Sequence, residues 1–176
     1  MKGNGTMKRL AFALGMLVVA AGVAAAEDNG GFGLGAGIVS VKDSGTSRLW
    51  LTANMRWMLA DNLALEPEIG WYRMPVTASV NADEFNGGGS VLLILPANKV
   101  DLFAGLGLGA HMSRLSSSGG SNTETQLGYH GLAGVDLKAS RSISLFGAVR
   151  YEIVNSNTDV KTKLWKFYGG LRFRSH

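Results

Sequence analysis

From residue 31 onward, apolar side chains recur at every second position through eight separate segments, and that period of two constrains the fold more than any other feature. Phe32, Leu34, Ala36 and Ile38 alternate with glycines; Leu49, Leu51, Ala53, Met55 and Trp57 alternate with Trp50, Thr52, Asn54, Arg56 and Met58. Leu65, Ile69 and Trp71 interleave with Glu66, Glu68, Gly70 and Tyr72, and a fourth segment beginning near Asp83 closes on Val91, Leu93 and Leu95. The second half repeats the pattern from Val100 to His111, Gln126 to Lys138, Ile143 to Ile153 and Trp165 to Phe173. Strict alternation makes strands with one apolar face, and no stretch after residue 30 carries a convincing helical period.

Each segment is long enough to cross a bilayer, for which a tilted strand needs about 9–11 residues. Short turns at Ala60-Asp61-Asn62, Pro96-Ala97-Asn98 and Ser140-Arg141 alternate with longer polar stretches at Lys42 to Ser47, Pro75 to Asp83, Ser113 to Glu124 and Asn155 to Lys161. Short turns on one side and long loops on the other are the asymmetry of an outer-membrane barrel, with the short turns in the periplasm. The expected fold is therefore all-β: an eight-stranded, antiparallel, up-and-down transmembrane β-barrel with both termini periplasmic. Pro67 interrupts this picture, because proline cannot donate to a ladder, and it is expected to mark a bulge or local break.

The face opposite the apolar one carries Glu66, Glu68, Asp101, Asp136 and Glu152 against Arg56, Lys138, Arg150, Lys166 and Arg172. Five acids and five bases can neutralise one another in a narrow lumen, while the lipid-facing side stays free of charge, as a bilayer requires. In this topology Phe32, Trp57 and Phe173 fall near the periplasmic rim, and Phe85, Trp71, Tyr151 and Trp165 near the outer rim, the two levels of an aromatic girdle. A soluble sandwich or lipocalin-like barrel would instead turn its apolar face inward and expose Arg56, Glu66 and Glu68 to water.

The N-terminus points to export. Lys8 and Arg9 precede an uncharged run from Leu10 to Val23, and Ala24-Ala25-Ala26 supplies the small residues of a cleavage site ahead of Glu27 and Asp28. Residues 1–26 read as a secretory signal peptide and 27–176 as the barrel domain. Met7 also serves as a candidate initiator. The 17 basic and 13 acidic residues of the chain suggest a basic protein, but Lys2, Lys8 and Arg9 belong to the signal, which leaves 14 against 13. Such a balance gives no reason to expect a nucleic-acid partner. With no cysteine there is neither a disulfide framework nor a thiolate metal site. A mean hydropathy of +0.12 is too polar for a bundle of membrane helices and suits strands with one lipid face.

The stretches Leu65-Glu66-Pro67-Glu68-Ile69-Gly70-Trp71-Tyr72 and Val100-Asp101-Leu102-Phe103-Ala104-Gly105-Leu106-Gly107-Leu108-Gly109 resemble the small outer-membrane β-barrel domain family of OmpA- and OmpX-type barrels and opacity proteins. The resemblance spans nearly all of residues 30 to 173. Trp165-Lys166-Phe167-Tyr168-Gly169-Gly170-Leu171-Arg172-Phe173 is similar to the closing strand that members offer to the barrel-assembly machinery, although Arg174-Ser175-His176 follow the aromatic residue here. The resemblance implies a protein held in outer-membrane lipid and lipopolysaccharide, with loops that can meet a surface ligand.

Three motifs imitate chemistry. The glycines of 31–37 and 105–109 look like a nucleotide-binding loop, but they alternate within strands instead of opening a helix. His111-Met112-Ser113 resembles the His-x-Ser pair of barrel-type lipid A deacylases, yet strand parity turns both residues inward, away from lipid. His111 and His130 suggest metal ligands, but pairing about the Ser118-Gly119 tip sets His111 opposite Gln126, with no third ligand evident, so hydrogen-bonded lumen histidines are expected instead. No catalytic site, cofactor or metal is expected. The leading expectation is a non-enzymatic barrel in which Arg56, Arg150, Lys166 and Arg172 interlock with Glu66, Glu68, Asp101 and Glu152, displaying four Ser-, Asn- and Gly-rich mobile loops. The alternative is a narrow pore for ions or small solutes along the glycine-lined first, fifth and sixth strands.

Overall fold

A computed structural model describes residues 30–42, 46–77, 80–117, 120–155 and 161–174. Residues 1–26, read from the sequence as a signal peptide, lie outside them. Eight strands follow in chain order: β1 (Gly31–Val41), β2 (Ser47–Ala60), β3 (Leu63–Thr77), β4 (Val80–Pro96), β5 (Val100–Ser117), β6 (Gly120–Lys138), β7 (Ile143–Asn155) and β8 (Lys161–Arg174). Each is antiparallel to its neighbours, and β1 pairs with β8 from Gly31↔Arg174 to Val41↔Leu164, which closes the barrel and leaves no sheet edge. Gly30 and Arg174 thus lie at the end that carries the short turns.

The barrel is apolar outside and polar inside. Leu106, Leu108 and Leu127 are 74%, 71% and 69% exposed, whereas Lys166 is 0% exposed. That distribution excludes the soluble alternatives, since water would have to wet the leucines and be withheld from an ammonium group. Alternation accounts for it residue by residue: on β8, Trp165, Phe167, Leu171 and Phe173 point out while Leu164, Lys166, Tyr168 and Arg172 are buried within.

One sequence expectation changes. Strands β3 to β6 run well beyond the outer aromatic level, so Pro75 to Asp83 and Ser113 to Glu124 are mainly strand, not long loops. At that end the β3–β4 and β5–β6 connections are only residues 78–79 and 118–119. Of the Ser- and Gly-rich tract, Ser116, Ser117, Gly120, Ser121 and Asn122 belong to strands, paired Ser117↔Gly120 and Ser116↔Ser121. The reason is physical: where both faces of a hairpin can be polar, composition no longer distinguishes strand from loop, while the backbone ladder continues. From Met112 to Ser117 the wall rises about 17 Å at strand spacing.

Pro67 marks a local break, the second of the two forms expected of it, and not a bulge. Asn54↔Glu68 and Trp57↔Leu65 keep one register across it, and β3 pairs with β4 through Pro67↔Gly89. The ladder to β2 is merely unpaired at Met55 and Arg56, as expected where the proline nitrogen carries no hydrogen.

The closing seam depends on glycine. A Cβ on Gly170 would strike the Leu34 carbonyl oxygen and lie 2.6 Å from the Gly35 Cα, both backbone atoms that no rotamer change can move aside. Gly170→Ala is expected to cost about 1–3 kcal/mol by forcing β1 and β8 apart. The check is the fraction of heat-modifiable, folded barrel on a gel after refolding; wild-type yield and wild-type urea midpoint would refute the close approach.

Candidate functional site

Inward-facing residues of all eight strands meet in the lumen, which is filled in layers. On the β3–β6 side Ala64, Leu92, Ile94, Phe103 and Leu132 form one apolar cluster. On the other side Val39, Trp50, Tyr72, Phe146, Val154, Leu164 and Tyr168 form a second. Ionic groups run between them.

Nearer the turn end, Asp136 and Glu66 sit between two guanidinium groups. Arg56 donates from Nε to Glu66 Oε2 at 2.7 Å and from Nη1 to Asp136 Oδ2 at 2.5 Å. Arg172 donates from Nη1 to Asp136 Oδ1 at 2.6 Å and from Nη2 to Glu66 Oε2 at 3.0 Å and Asn54 Oδ1 at 3.3 Å. All four charged side chains are buried. The cations also lie over aromatic faces, Arg56 4.4 Å from the Phe103 centroid and Arg172 4.8 Å from that of Phe146, which adds attraction to the ring quadrupole.

A second group lies farther along the lumen. Arg150 Nη1 meets Glu68 Oε1 at 2.6 Å, and Lys166 Nζ meets Glu152 Oε2 at 2.7 Å while lying 4.6 Å from the Trp50 ring centroid. The other carboxylate oxygen of Glu152 accepts from His111 Nε2 at 2.9 Å and stands 3.7 Å from His130 Nδ1. His130 Nε2 shares a 2.8 Å hydrogen bond with the Ser90 hydroxyl. The two groups together set four carboxylates (Glu66, Glu68, Asp136, Glu152) against four basic side chains (Arg56, Arg150, Lys166, Arg172), so the charges within them are matched, while a fifth buried carboxylate, Glu84, lies outside both groups.

Asp101 is not part of this network. It pairs with Lys138 Nζ at 2.6 Å and accepts the Ala97 N–H at 3.3 Å, at the rim beside the β4–β5 turn. Parity put Asp101 on the inward face correctly, but it is the second residue of β5 and so too near the end to reach the arginines. Asp136 takes the bridging place instead. His111 and His130 are hydrogen-bonded lumen histidines, as expected, but their convergence on Glu152 and the part of Ser90 were not foreseen. The register His130↔Glu152, countable from the Ser140-Arg141 turn, was the available signal.

The aromatic residues of the expected girdle all point outward, and several are cross-strand partners: Phe32↔Phe173, Trp71↔Phe85 and Tyr151↔Trp165. Trp57 faces out beside Leu65. Tyr129, 45% exposed, and Phe167, 53% exposed, join this face without having been assigned to the girdle.

His111 and Ser113 do face inward, and each serves a different carboxylate: His111 that of Glu152, and Ser113 that of Glu84, to which its hydroxyl donates. His111 lies opposite Gln126, yet it converges with His130 on Glu152. Among the described residues no group of His, Asp or Glu is arranged to hold a metal ion.

The sequence from residue 11 to residue 173 matches the family model described as the outer membrane protein beta-barrel domain. The chain belongs to that family. This outer-membrane barrel is similar in fold to Neisserial surface protein A, with a TM-score of 0.70 at 15% identity over 83% of this chain and 96% of that one. It is likewise similar to OprG from Pseudomonas aeruginosa, with a TM-score of 0.60 at 14% identity over 84% and 96%. Ail, the attachment invasion locus protein of Yersinia pestis, gives 0.54 at 17% identity over 82% and 97%. Comparison with curated proteins by sequence returns no match. Family membership makes the barrel an integral protein of the bacterial outer membrane, and its exposed leucines therefore face lipid.

Proposed function

We propose that this outer-membrane barrel is non-enzymatic and works through its surface, its lumen serving as a rigid plug. One observation carries the reading: the two buried ionic groups and the two apolar clusters together occupy the cross-section of the lumen. Eight strands enclose an interior just wide enough for side chains, and here those side chains are large, paired and buried. In this reading residues 1–26 are removed on export, the turn end and both termini face the periplasm, and the aromatic residues anchor the barrel at the two interfaces. The β3–β6 wall then projects from the cell as the part able to meet a ligand. The closing strand β8 is the segment offered to the assembly machinery.

A narrow pore is the second reading, and one feature favours it: a cavity of about 320 Å³ opens at the projecting end, lined by Tyr72, Glu84, His111, Ser113 and Gln126 among others. Glu84, His111 and Ser113 on its wall could attract ions, but below it stand Glu152, Lys166 and Trp50. Residues 27–176 refolded into a planar bilayer are expected to insert without unitary conductance. Reproducible single-channel steps would overturn the plug and make the cavity a channel entrance.

A further inference from the structure

The cavity of about 320 Å³ at the projecting end is a cup with two unlike walls. Val154 of β7, Leu164 of β8 and Val41 of β1 make an apolar one. Tyr72 and Glu84, register partners on β3 and β4, line the other, and in the closed order β3 and β4 stand opposite β7 and β8. His111, tied to Glu152 at 2.9 Å, joins the cup to the ionic group beneath it.

Glu84 is 8% exposed, and its carboxylate accepts from the Ser113 hydroxyl. The other four buried carboxylates, Glu66, Glu68, Asp136 and Glu152, each meet an arginine or a lysine. Among the described residues Glu84 forms no ion pair. The bases of this end are engaged or turned away. Lys166 and His111 share Glu152, Arg73 holds Asp83 at 2.8 Å, and Arg48, in line with Trp50 on β2, donates to the Ser47 carbonyl at 2.8 Å. Alternation puts Lys42, Arg114, Lys161 and Lys163 on the outward face. Residues 43–45, 78–79, 118–119 and 156–160, outside the described set, include no lysine, arginine or histidine and so supply no cation either. Glu124, which accepts from Gln126 at 3.2 Å, adds a second negative charge on the same inward face.

A carboxylate withdrawn from water needs a counter-charge to offset its lost hydration. A calcium or magnesium ion would demand a shell of several oxygen ligands, and among the described residues no group is arranged to hold a metal. An ammonium group needs a single carboxylate, and the facing apolar wall suits the body that carries it. We propose that the cup binds a small organic cation, a primary ammonium on an apolar body. The nitrogen pairs with Glu84 beside Tyr72, and the body lies against Val41, Val154 and Leu164. The volume is at the low end of the roughly 300–1,000 Å³ of small-ligand pockets, which limits the ligand to about one ring or a short chain.

The site rests on the plug reading, because Glu152, Lys166 and Trp50 beneath it make a cup instead of a passage, and the two are tested separately. Phenethylammonium is titrated into the refolded barrel in an uncharged maltoside detergent and followed by backbone amide NMR shifts. Saturable shifts are expected at Tyr72, Glu84, Ser113 and Gln126, whereas phenethyl alcohol, similar in shape but uncharged, should give none that saturate. Glu84→Gln is expected to weaken binding about 10–100-fold, the size of a hydrogen bond to a charged group, and Glu84→Asp to recover part of the loss. With no cation to strand, Glu84→Gln should keep or raise the urea midpoint, which separates lost binding from lost fold. A lowered midpoint would show the carboxylate already paired and would overturn the site. Wild-type affinity in Glu84→Gln, or equal binding of the alcohol, would overturn it too. Unitary conductance in a planar bilayer would overturn the plug; a silent barrel without saturable shifts would overturn the cup alone.

Discussion

Replacing Asp136 with asparagine is expected to remove about 3–5 kcal/mol of unfolding free energy, among the largest losses any single residue of this barrel should give. The side chain keeps its size, so no cavity opens; what disappears is the charge that Arg56 and Arg172 share at 2.5 and 2.6 Å. Glu66 alone then faces two buried guanidinium groups. Neither can be deprotonated at any relevant pH, so the excess charge cannot be relieved by losing a proton. The measurement is reversible urea unfolding in phosphatidylcholine vesicles, followed by tryptophan fluorescence. Asp101→Asn supplies the contrast, because its partner Lys138 is 27% exposed at the rim and solvent-screened pairs contribute about 0–1 kcal/mol. Similar losses in the two variants would show that the lumen network is no tighter than a rim ion pair.

The second large effect is expected at Glu152. Its two oxygens hold a fully buried ammonium, that of Lys166, and the His111 ring, with His130 close by. Glu152→Leu should therefore cost about 3–5 kcal/mol, since it strands a cation in the lumen and leaves an imidazole without its acceptor. Lys166→Met should cost less, because Glu152 keeps its contact with His111. Combining Glu152→Met with Lys166→Met removes both charges and fills similar volume, so much of the loss should return. The remainder would measure the histidine contacts. If the double variant were as unstable as Glu152→Leu, the Glu152–Lys166 pair would not be the source of the stability.

These effects arise from contacts that join distant strands, and that is where sequence reading ran short. The inward position of Asp101 and Asp136 was equally plain from parity, yet one lies at the rim and the other bridges β2 and β8. Alternation tells which face a side chain takes and says little about its height or the partner it meets across the lumen. Register between hairpin neighbours can be counted from a short turn, as for His130 and Glu152. Contacts such as Arg56 with Asp136, 80 residues apart, depend on how all eight strands tilt and stagger together. The projecting β3–β6 wall was missed for a different reason: outside lipid, a strand with two wetted faces carries the composition of a loop.

The period of two, repeated eight times and punctuated by short polar turns, was sufficient by itself to determine a barrel with lipid outside and charge inside. It could do so because a bilayer offers no partner to an unpaired backbone group, and only a closed sheet satisfies them all. The tertiary structure alone decided that the acids and bases separate into two groups, that aromatic rings pack among them, and that a cup with Glu84 on its wall opens at the projecting end. Those features depend on side chains meeting across strands remote in sequence, a relation that a linear pattern of apolar and polar residues does not contain.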